Sequence, residues 1–205
     1  MANNYIFQYW EAIQDGTVTV GKWIKTIYEI LVNGLKSGKW DFDEEKANKA
    51  INFIENFCHH SEGRNDLLKL ELWQKAIVSA IFGIMDKRTG YRQFREVFIV
   101  VARKNGKTLF AAAIAAYMAY IDGEYGAKVY FLAPKLDQAD LVYDAFYQIV
   151  QADDELDSIT KKRRSDIYIK EFNTSVKKIA FNSKKSDGFN PQMVVNDEME
   201  AWQGD

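Results

Sequence analysis

Hydrophobic residues recur at helical spacing through the first part of the chain and predict three helices. The first covers residues 20–35, and two glycines end its apolar stripe. The second begins near Asp41 or Asp43, either of which can cap a first turn, and the third covers residues 71–85. The apolar positions of the first two helices are Trp23, Ile24, Ile27, Leu31 and Leu35, then Ala47, Ala50, Ile51, Ile54 and Phe57.

The second half of the chain alternates short apolar runs with segments of helical character. The runs REVFIVV, KVYFLAP and QMVVN, at residues 95–101, 128–134 and 192–196, have the composition of strands. An alanine-rich helix is predicted between the first two, and a helix over residues 136–150 follows the second. Strands that alternate with helices predict a mostly parallel sheet. Two further runs, DIYIKEF and VKKIAFNS, predict a β-hairpin at the sheet edge, turning at Asn173 and Thr174.

Composition limits the classes of function. The chain has 205 residues, of which 47% are hydrophobic, so it can bury one good-sized core. Its formal net charge of -2 excludes a uniformly basic nucleic-acid wrapper, so any nucleic-acid contact would use a local patch. The single cysteine, Cys58, excludes an internal disulfide and fits a reducing compartment. The start lacks the layout of a signal peptide, no apolar run reaches the ~18 residues of a membrane span, and we expect a cytoplasmic location.

Gly106, Lys107 and Thr108 stand between an apolar run and the alanine-rich helix. They match the end of the P-loop pattern G-x-x-x-x-G-K-[ST], in which backbone N–H groups hold phosphate, the lysine reaches the outer phosphates and the hydroxyl binds Mg²⁺. The first glycine of the pattern is replaced by Val101. A tight turn at Asn105 and Gly106 with a solvated lysine is the alternative. The flanking strand and helix favour phosphate, because a helix N-terminus offers free N–H groups to an anion.

An acidic pair follows the last predicted strand. In PQMVVNDEMEAW, Met193, Val194 and Val195 lead to Asp197 and Glu198. Asp197 would hold Mg²⁺ and its waters, and Glu198 would polarise the water that attacks a γ-phosphate. An exposed acidic turn is the alternative. The order of the two motifs, each placed at the end of a predicted strand, favours a nucleotide site.

These motifs resemble a known family. ARKNGKT is similar to the variant P-loop of the large terminase subunits of tailed phages, the DNA-packaging motors, in which an arginine stands early in the loop. FIENFCHHSEG with LELWQKAIVSAIFG, KVYFLAPKLDQADLVYDAF and FNSKKSDGFNPQMVVNDE also resemble segments of this family. The resemblance covers most of the chain from residue 41 to residue 205. It implies a P-loop α/β fold, here with a sheet expected to be incomplete.

The resemblance implies roles for individual residues. Arg103 would sense or neutralise γ-phosphate charge, with a surface ion pair as the alternative, and Gln74 would read the adenine edge, with a plain helix-surface position as the alternative. Lys104 and Asn105 belong to the loop that binds the nucleotide. The implied cofactors are ATP and Mg²⁺. The implied partners are double-stranded DNA held by its phosphates, a portal ring, a small terminase subunit and further copies in a homo-oligomeric ring.

The predicted organisation is an N-terminal helical portion over residues 1–70 and a P-loop ATPase core over residues 71–205. Two other functions remain open: a helicase-like ATPase acting on nucleic acid, and a non-catalytic nucleotide-binding or assembly module. The basic run at residues 161–164 and Lys184 with Lys185 can contact a DNA backbone, although such runs are usually solvated. Adjacent Cys58, His59 and His60 suit a helix end better than a metal site. Gln138, in a family-like DQA, receives no chemistry.

Overall fold

The computed structural model of the protein describes residues 4–60, 63–102, 104–180 and 190–197. Its contacts divide the chain into two compact units. Unit 1 comprises residues 1–55 and 69–100, and unit 2 comprises residues 56–68 and 101–205. The predicted domain division at residue 70 stays a prediction.

Unit 1 is mainly helical. Its helices are α1 (Tyr5–Gln14), α2 (Lys22–Lys36), α3 (Glu44–Phe57), whose last two residues fall in unit 2, and α4 (Leu72–Gly83). Strands β1 (Asp41–Phe42) and β2 (Ile84–Met85) pair antiparallel. Helices α2 and α4 both pack on α1. The buried cluster comprises Ile6, Tyr9, Ile13, Tyr28, Leu31, Val32, Ala76 and Ile84.

The three predicted helices are confirmed as α2, α3 and α4, whereas α1 was not predicted. Its signal was present in the sequence, because Ile6, Tyr9 and Ile13 lie three and four residues apart and are all buried. Asn4 caps this helix, its Oδ1 accepting a hydrogen bond from the Ile6 N–H at 3.0 Å.

Unit 2 is built on a five-stranded sheet in the order β4-β5-β6-β3-β7. The strands are β3 (Lys128–Ala133), β4 (Thr160–Lys162), β5 (Ile167–Ile169), β6 (Thr174–Ala180) and β7 (Met193–Asn196). Strand β3 pairs parallel with β6 and with β7, while β4-β5 and β5-β6 are antiparallel. The predicted α/β class, with a mostly parallel sheet flanked by helices, is confirmed.

Three helices accompany this sheet, α5 (Lys107–Tyr120), α6 (Leu136–Ala152) and α7 (Asp154–Ile159). Helix α5 is buried along most of its length because its alanines allow neighbouring backbone to approach closely, and it packs on α6. Aromatic rings fill the layer between α6 and the sheet, where Phe131 lies 5.9 Å from Phe146 between ring centroids. Because β3 and β7 are parallel neighbours, their carboxyl ends lie at the same edge of the sheet, beside the start of α5.

The predicted hairpin is confirmed as β5 and β6, with Asn173 in the left-handed region at φ 53°. The predicted edge position was wrong, because β4 adds a further strand outside β5.

The predicted strand over residues 95–101 is also not formed. Its apolar side chains are uncovered, with Phe98 and Val100 each 76% exposed. Composition favours a strand here, but a strand forms only when a neighbour satisfies its backbone groups. No strand in the described part of the chain pairs with this segment.

Candidate nucleotide site

The loop that precedes α5 turns through two left-handed residues. Lys104 has φ 66°, and Gly106, the N-cap of α5, has φ 68° and ψ 22°. Glycine suits this conformation because it has no Cβ to crowd the following carbonyl. Asn105 braces the turn, since its side-chain nitrogen donates to the Ala102 carbonyl at 3.0 Å. The predicted loop of Lys104, Asn105 and Gly106 is thus a sharp entry into the helix.

The start of α5 borders open space at Gly106. Among the described residues no side-chain hydrogen bond caps the helix, and a Cβ built on Gly106 would meet no atom within 4 Å. The backbone N–H groups of a first helical turn have no acceptor within the helix itself. Their partial positive charge favours an anion.

A close ion pair joins the two predicted motifs. Lys107, the first residue of α5, places Nζ 3.1 Å from Oδ1 of Asp197. Asp197 follows β7 directly, and its backbone N–H donates to the Leu132 carbonyl of β3 at 3.3 Å. The carboxylate side chain is 14% exposed and the lysine side chain 38% exposed. The end of β7 positions Asp197 and the start of α5 positions Lys107, and both residues lie at the same edge of the sheet.

A second contact joins α5 and β7 at their other ends. Gln192, just before β7, donates from Nε2 to the carbonyl of Asp122, two residues beyond α5, at 3.0 Å. Gly123 fits beneath this contact, because a Cβ there would come within 2.8 Å of the Met118 carbonyl oxygen. Helix α5 and strand β7 are therefore tied near both of their termini.

The donor set at this edge fits Mg²⁺ bound together with phosphate. Thr108, half-buried in the first turn of α5, supplies a hydroxyl, and Asp197 supplies a carboxylate. In the described part of the chain, no group of three or more His, Cys, Asp and Glu residues is placed to hold a metal. One hydroxyl and one carboxylate suit Mg²⁺, which keeps several waters and binds through one or two protein oxygens plus phosphate.

The other predicted site residues lie in unit 1 or outside the described residues. Gln74 lies in unit 1, where its Oε1 accepts a hydrogen bond from the Glu71 N–H at 2.9 Å and forms part of a capping box at the start of α4. It is 8% exposed. Its predicted contact with adenine stays a prediction. Arg103 and Glu198 lie outside the described residues, as do Lys184 and Lys185.

The basic run at residues 161–164 is partly committed to the fold. Arg163 donates from Nε and Nη2 to the two carboxylate oxygens of Asp166, at 2.7 and 2.5 Å. Ser175 also donates to Asp166, at 3.0 Å, and these bonds, the Arg163 bond foremost, lower the pKa of the 3% exposed carboxyl group. The burial of Asp166 was not predicted from the sequence, in which the only indication of this ion pair is an Asp three residues after an Arg.

Two other sequence features have structural explanations. Cys58 is buried, and burial raises the pKa of its thiol, so a metal-binding thiolate is disfavoured there. His60 contacts Arg64, with 2.6 Å between Nε2 and Nη2.

Gln138 lies in the first turn of α6, and its Oε1 is buried without a hydrogen-bond donor in the described residues. Its role stays unassigned.

Comparisons with known proteins agree on one family. The family profile described as "Terminase large subunit, ATPase domain" matches residues 72–205. The crystal structure of the HK97 bacteriophage large terminase superposes with a TM-score of 0.66 and 24% sequence identity. That match covers 78% of this chain and 32% of the HK97 chain, so the present chain spans about a third of the solved protein.

No curated protein matches the chain. Among the described residues, no helix is both long and apolar enough to cross a membrane. The fold likeness and the family match point the same way, and the profile spans more than half of the sequence. The chain belongs to the family of terminase large subunit ATPase domains.

Proposed function

We propose that this chain is the ATPase portion of a phage DNA-packaging motor, which hydrolyses ATP with Mg²⁺ to move double-stranded DNA into a procapsid. One observation carries the proposal. Lys107 and Asp197, from two motifs far apart in sequence, lie 3.1 Å apart at the N-terminus of α5. A surface turn and an acidic loop with unrelated roles would not be expected to lie in contact.

The residues divide the chemistry of the site among them. Lys107 and the first-turn N–H groups of α5 would bind the outer phosphates, and Thr108 with Asp197 would hold the metal. Mg²⁺, when bound, would neutralise phosphate charge. Arg103 would stabilise charge on the γ-phosphate. Glu198 would accept a proton from the attacking water as its oxygen bonds to the γ-phosphorus, while the bond from that phosphorus to the β–γ bridging oxygen breaks and ADP leaves. Gln74 would contact the adenine edge.

The partners proposed for the complete motor follow from the family. They are DNA held through its phosphates, a portal ring, a small terminase subunit and further copies of this chain in a ring, in the host cytoplasm at the procapsid. This chain corresponds to about a third of the HK97 protein, so these assemblies are proposed for the complete protein that contains this portion. A sequence-independent DNA contact would use exposed basic residues such as Lys161 and Arg164.

The test measures Mg²⁺-dependent ATP binding and phosphate release for the chain and two variants. We expect Lys107→Ala to weaken nucleotide binding roughly 10–100-fold, because charge-assisted hydrogen bonds to phosphate are lost. Glu198→Gln should keep the binding and lose the turnover. The matched control is Lys128→Ala, which removes an exposed lysine at the amino end of β3.

The outcomes separate the candidate functions. Binding without phosphate release in the wild-type chain, together with loss of binding in Lys107→Ala, would favour a nucleotide-binding assembly module over an autonomous ATPase. A folded chain with no affinity for millimolar ATP would remove the proposed site. Equal losses in Lys107→Ala and Lys128→Ala would show a general charge effect rather than a phosphate site.

A further inference from the structure

Helix α2 presents an apolar stripe that unit 1 leaves uncovered. Trp23, Ile27 and Ile30 are 70%, 49% and 55% exposed, and they lie four and three residues apart on one side of the helix. The apolar residues Tyr28, Leu31 and Val32, which continue around the helix from the stripe to its far side, are buried in the unit. We call the exposed stripe of Trp23, Ile27 and Ile30 the α2 seam.

The seam has a defined end. One turn beyond Ile30, Gly34 takes the next seam position, and the indole of Trp40 lies on it. The ring of Trp40 packs in turn against Phe94, with 5.6 Å between centroids. The distance from Trp23 to Gly34 along the helix is about 16 Å. This is the length over which a partner helix of three turns can make contact.

Positive charge marks both ends of the seam. Lys22 places Nζ 4.8 Å from the centroid of the Trp23 ring, and Lys39 places Nζ 4.8 Å from that of Trp40. Both lysines are exposed. By its spacing, the only acid of α2, Glu29, lies on the same flank of the helix as Lys22, beside the stripe, and Lys22 reaches the stripe through its contact with the Trp23 ring. An occupant of the seam therefore meets an apolar centre with a cation at each end.

We propose that the α2 seam docks one amphipathic helix of a partner protein, whose apolar stripe carries an acidic residue near each end. Spacing of four and three is the spacing by which two helices interlock side chains. Acids about three turns apart would pair with Lys22 and Lys39 and set the register. This interaction goes beyond ATP turnover and uses no residue of the nucleotide site.

Charge disfavours a second copy of this chain as the occupant. Two seams that pair parallel place Lys22 against Lys22, and two that pair antiparallel place Lys22 against Lys39. Like charges therefore meet at both ends in either direction.

The narrowness of the seam disfavours a membrane. An interfacial helix lays a broad apolar face into lipid, whereas the other apolar face of α2 is already buried in unit 1.

The test uses the full chain and a designed helical peptide with an apolar stripe of the same spacing and a glutamate near each end. A matched peptide has lysines in place of the glutamates. Fluorescence anisotropy of the labelled peptides measures binding. We expect the acidic peptide to bind, the lysine peptide to bind at least tenfold more weakly, and added salt to reduce this difference.

Variants locate the binding. Ile27→Ser should weaken the acidic peptide at least tenfold, and Lys22→Glu should reverse part of the preference between the two peptides. Because these side chains are exposed, thermal melting should show an intact fold. Leu141→Ser, which changes a 56% exposed apolar residue of α6, is the control and should bind like the wild type.

Four results would overturn the proposal. The acidic peptide fails to bind at about 100 μM, or both peptides bind equally. Light scattering shows a dimer of the chain that Ile27→Ser dissociates, which makes a second copy the occupant. Anionic phosphatidylserine vesicles bind the chain through the seam more tightly than the acidic peptide does, which makes a membrane the occupant.

Discussion

At the residue scale, Gly106 sets the direction in which the chain enters α5. Its φ of 68° is accessible to glycine at no cost, whereas any side chain would be strained there, even though the space around the site is open. The same turn leaves the first N–H groups of α5 without a side-chain cap. The residue thus serves the geometry of the anion site rather than the packing of the core.

We expect Gly106→Ala to lower the free energy of unfolding by about 1–2 kcal/mol, the cost of a Cβ in the left-handed region, and to weaken ATP binding. Chemical denaturation and nucleotide titration measure the two effects. Gly16→Ala is the matched control, because Gly16 also has positive φ, 81°, and open surroundings in unit 1. A similar loss of ATP binding in Gly16→Ala would disprove the local explanation.

The carboxyl group of Asp166 makes stability depend on pH. Its hydrogen bonds from Arg163 and Ser175 hold its pKa below the ordinary value. The stabilisation is therefore present at neutral pH, above the pKa of the unfolded chain, and is lost as pH falls through the lower pKa of the folded state. We expect Arg163→Ala to destabilise the fold at pH 7, because a buried acceptor loses its charged donor.

Urea denaturation at pH 7 and at acidic pH checks this prediction. The difference between wild type and Arg163→Ala should shrink as the pH falls below about 4, where Asp166 becomes protonated in the unfolded chain. Arg164→Ala, the exposed neighbour, should change little at either pH. A constant difference across the range would argue that Arg163 stabilises through packing on Tyr168, 4.0 Å from its ring centroid.

At the element scale, the sequence was sufficient where the pattern was local. Residues 107–120, 128–133 and 136–152 each carry a clear period or composition over their whole length, and their helix, strand and helix are as predicted. The run at 95–101 has equally strong strand composition, yet strand formation depends on a partner that composition does not specify. Strand β4 was missed because TKK contains no apolar alternation.

In the candidate site, too, the sequence predicted individual residues where a short motif was present and did not predict contacts that depend on the fold. Gly106, Lys107 and Asp197 were named from short motifs, but the contact of Lys107 with Asp197 was not predicted, and the strand expected before Lys107 is not formed. The capping hydrogen bond of Gln74 was not predicted, although a Glu followed three residues later by a Gln resembles a capping box. Nor was the burial of Asp166, which depends on the path of β5.

Gly34 of α2 packs closely against the ring of Trp40. Glycine inside a helix normally costs about 1 kcal/mol relative to alanine, so Gly34→Ala would stabilise an isolated helix. Here the added Cβ would lie 2.5 Å from Cε3 of Trp40, a rigid ring held by Phe94. We expect a net loss of roughly 1–3 kcal/mol, measured by thermal unfolding. Asn33→Ala, at the exposed neighbouring position, should be neutral or stabilising.

At the scale of the whole molecule, exposed apolar surface is concentrated in the α2 seam and in residues 97–100. The second segment has four consecutive apolar residues with high β-propensity and no charge. Such a segment is a template for pairing between chains. The association state of the purified chain should therefore respond to substitutions there.

We expect Phe98→Lys to reduce concentration-dependent aggregation, because the added charge opposes strand pairing between copies at a side chain that is 76% exposed. Light scattering across a dilution series measures the effect. Glu96→Gln raises the net charge by the same one unit without changing apolar surface and is the control. If both variants improve solubility to the same degree, net charge rather than the apolar segment governs aggregation.

The two ties between α5 and β7 have a mechanical consequence. Lys107 to Asp197 at one end and Asp122 to Gln192 at the other join the pair across about 20 Å of helix. In the proposed nucleotide site, a displacement of Lys107 on phosphate binding would therefore move α5 and β7 together. Strand β7 would transmit that displacement to the chain beyond Asn196, which includes Glu198.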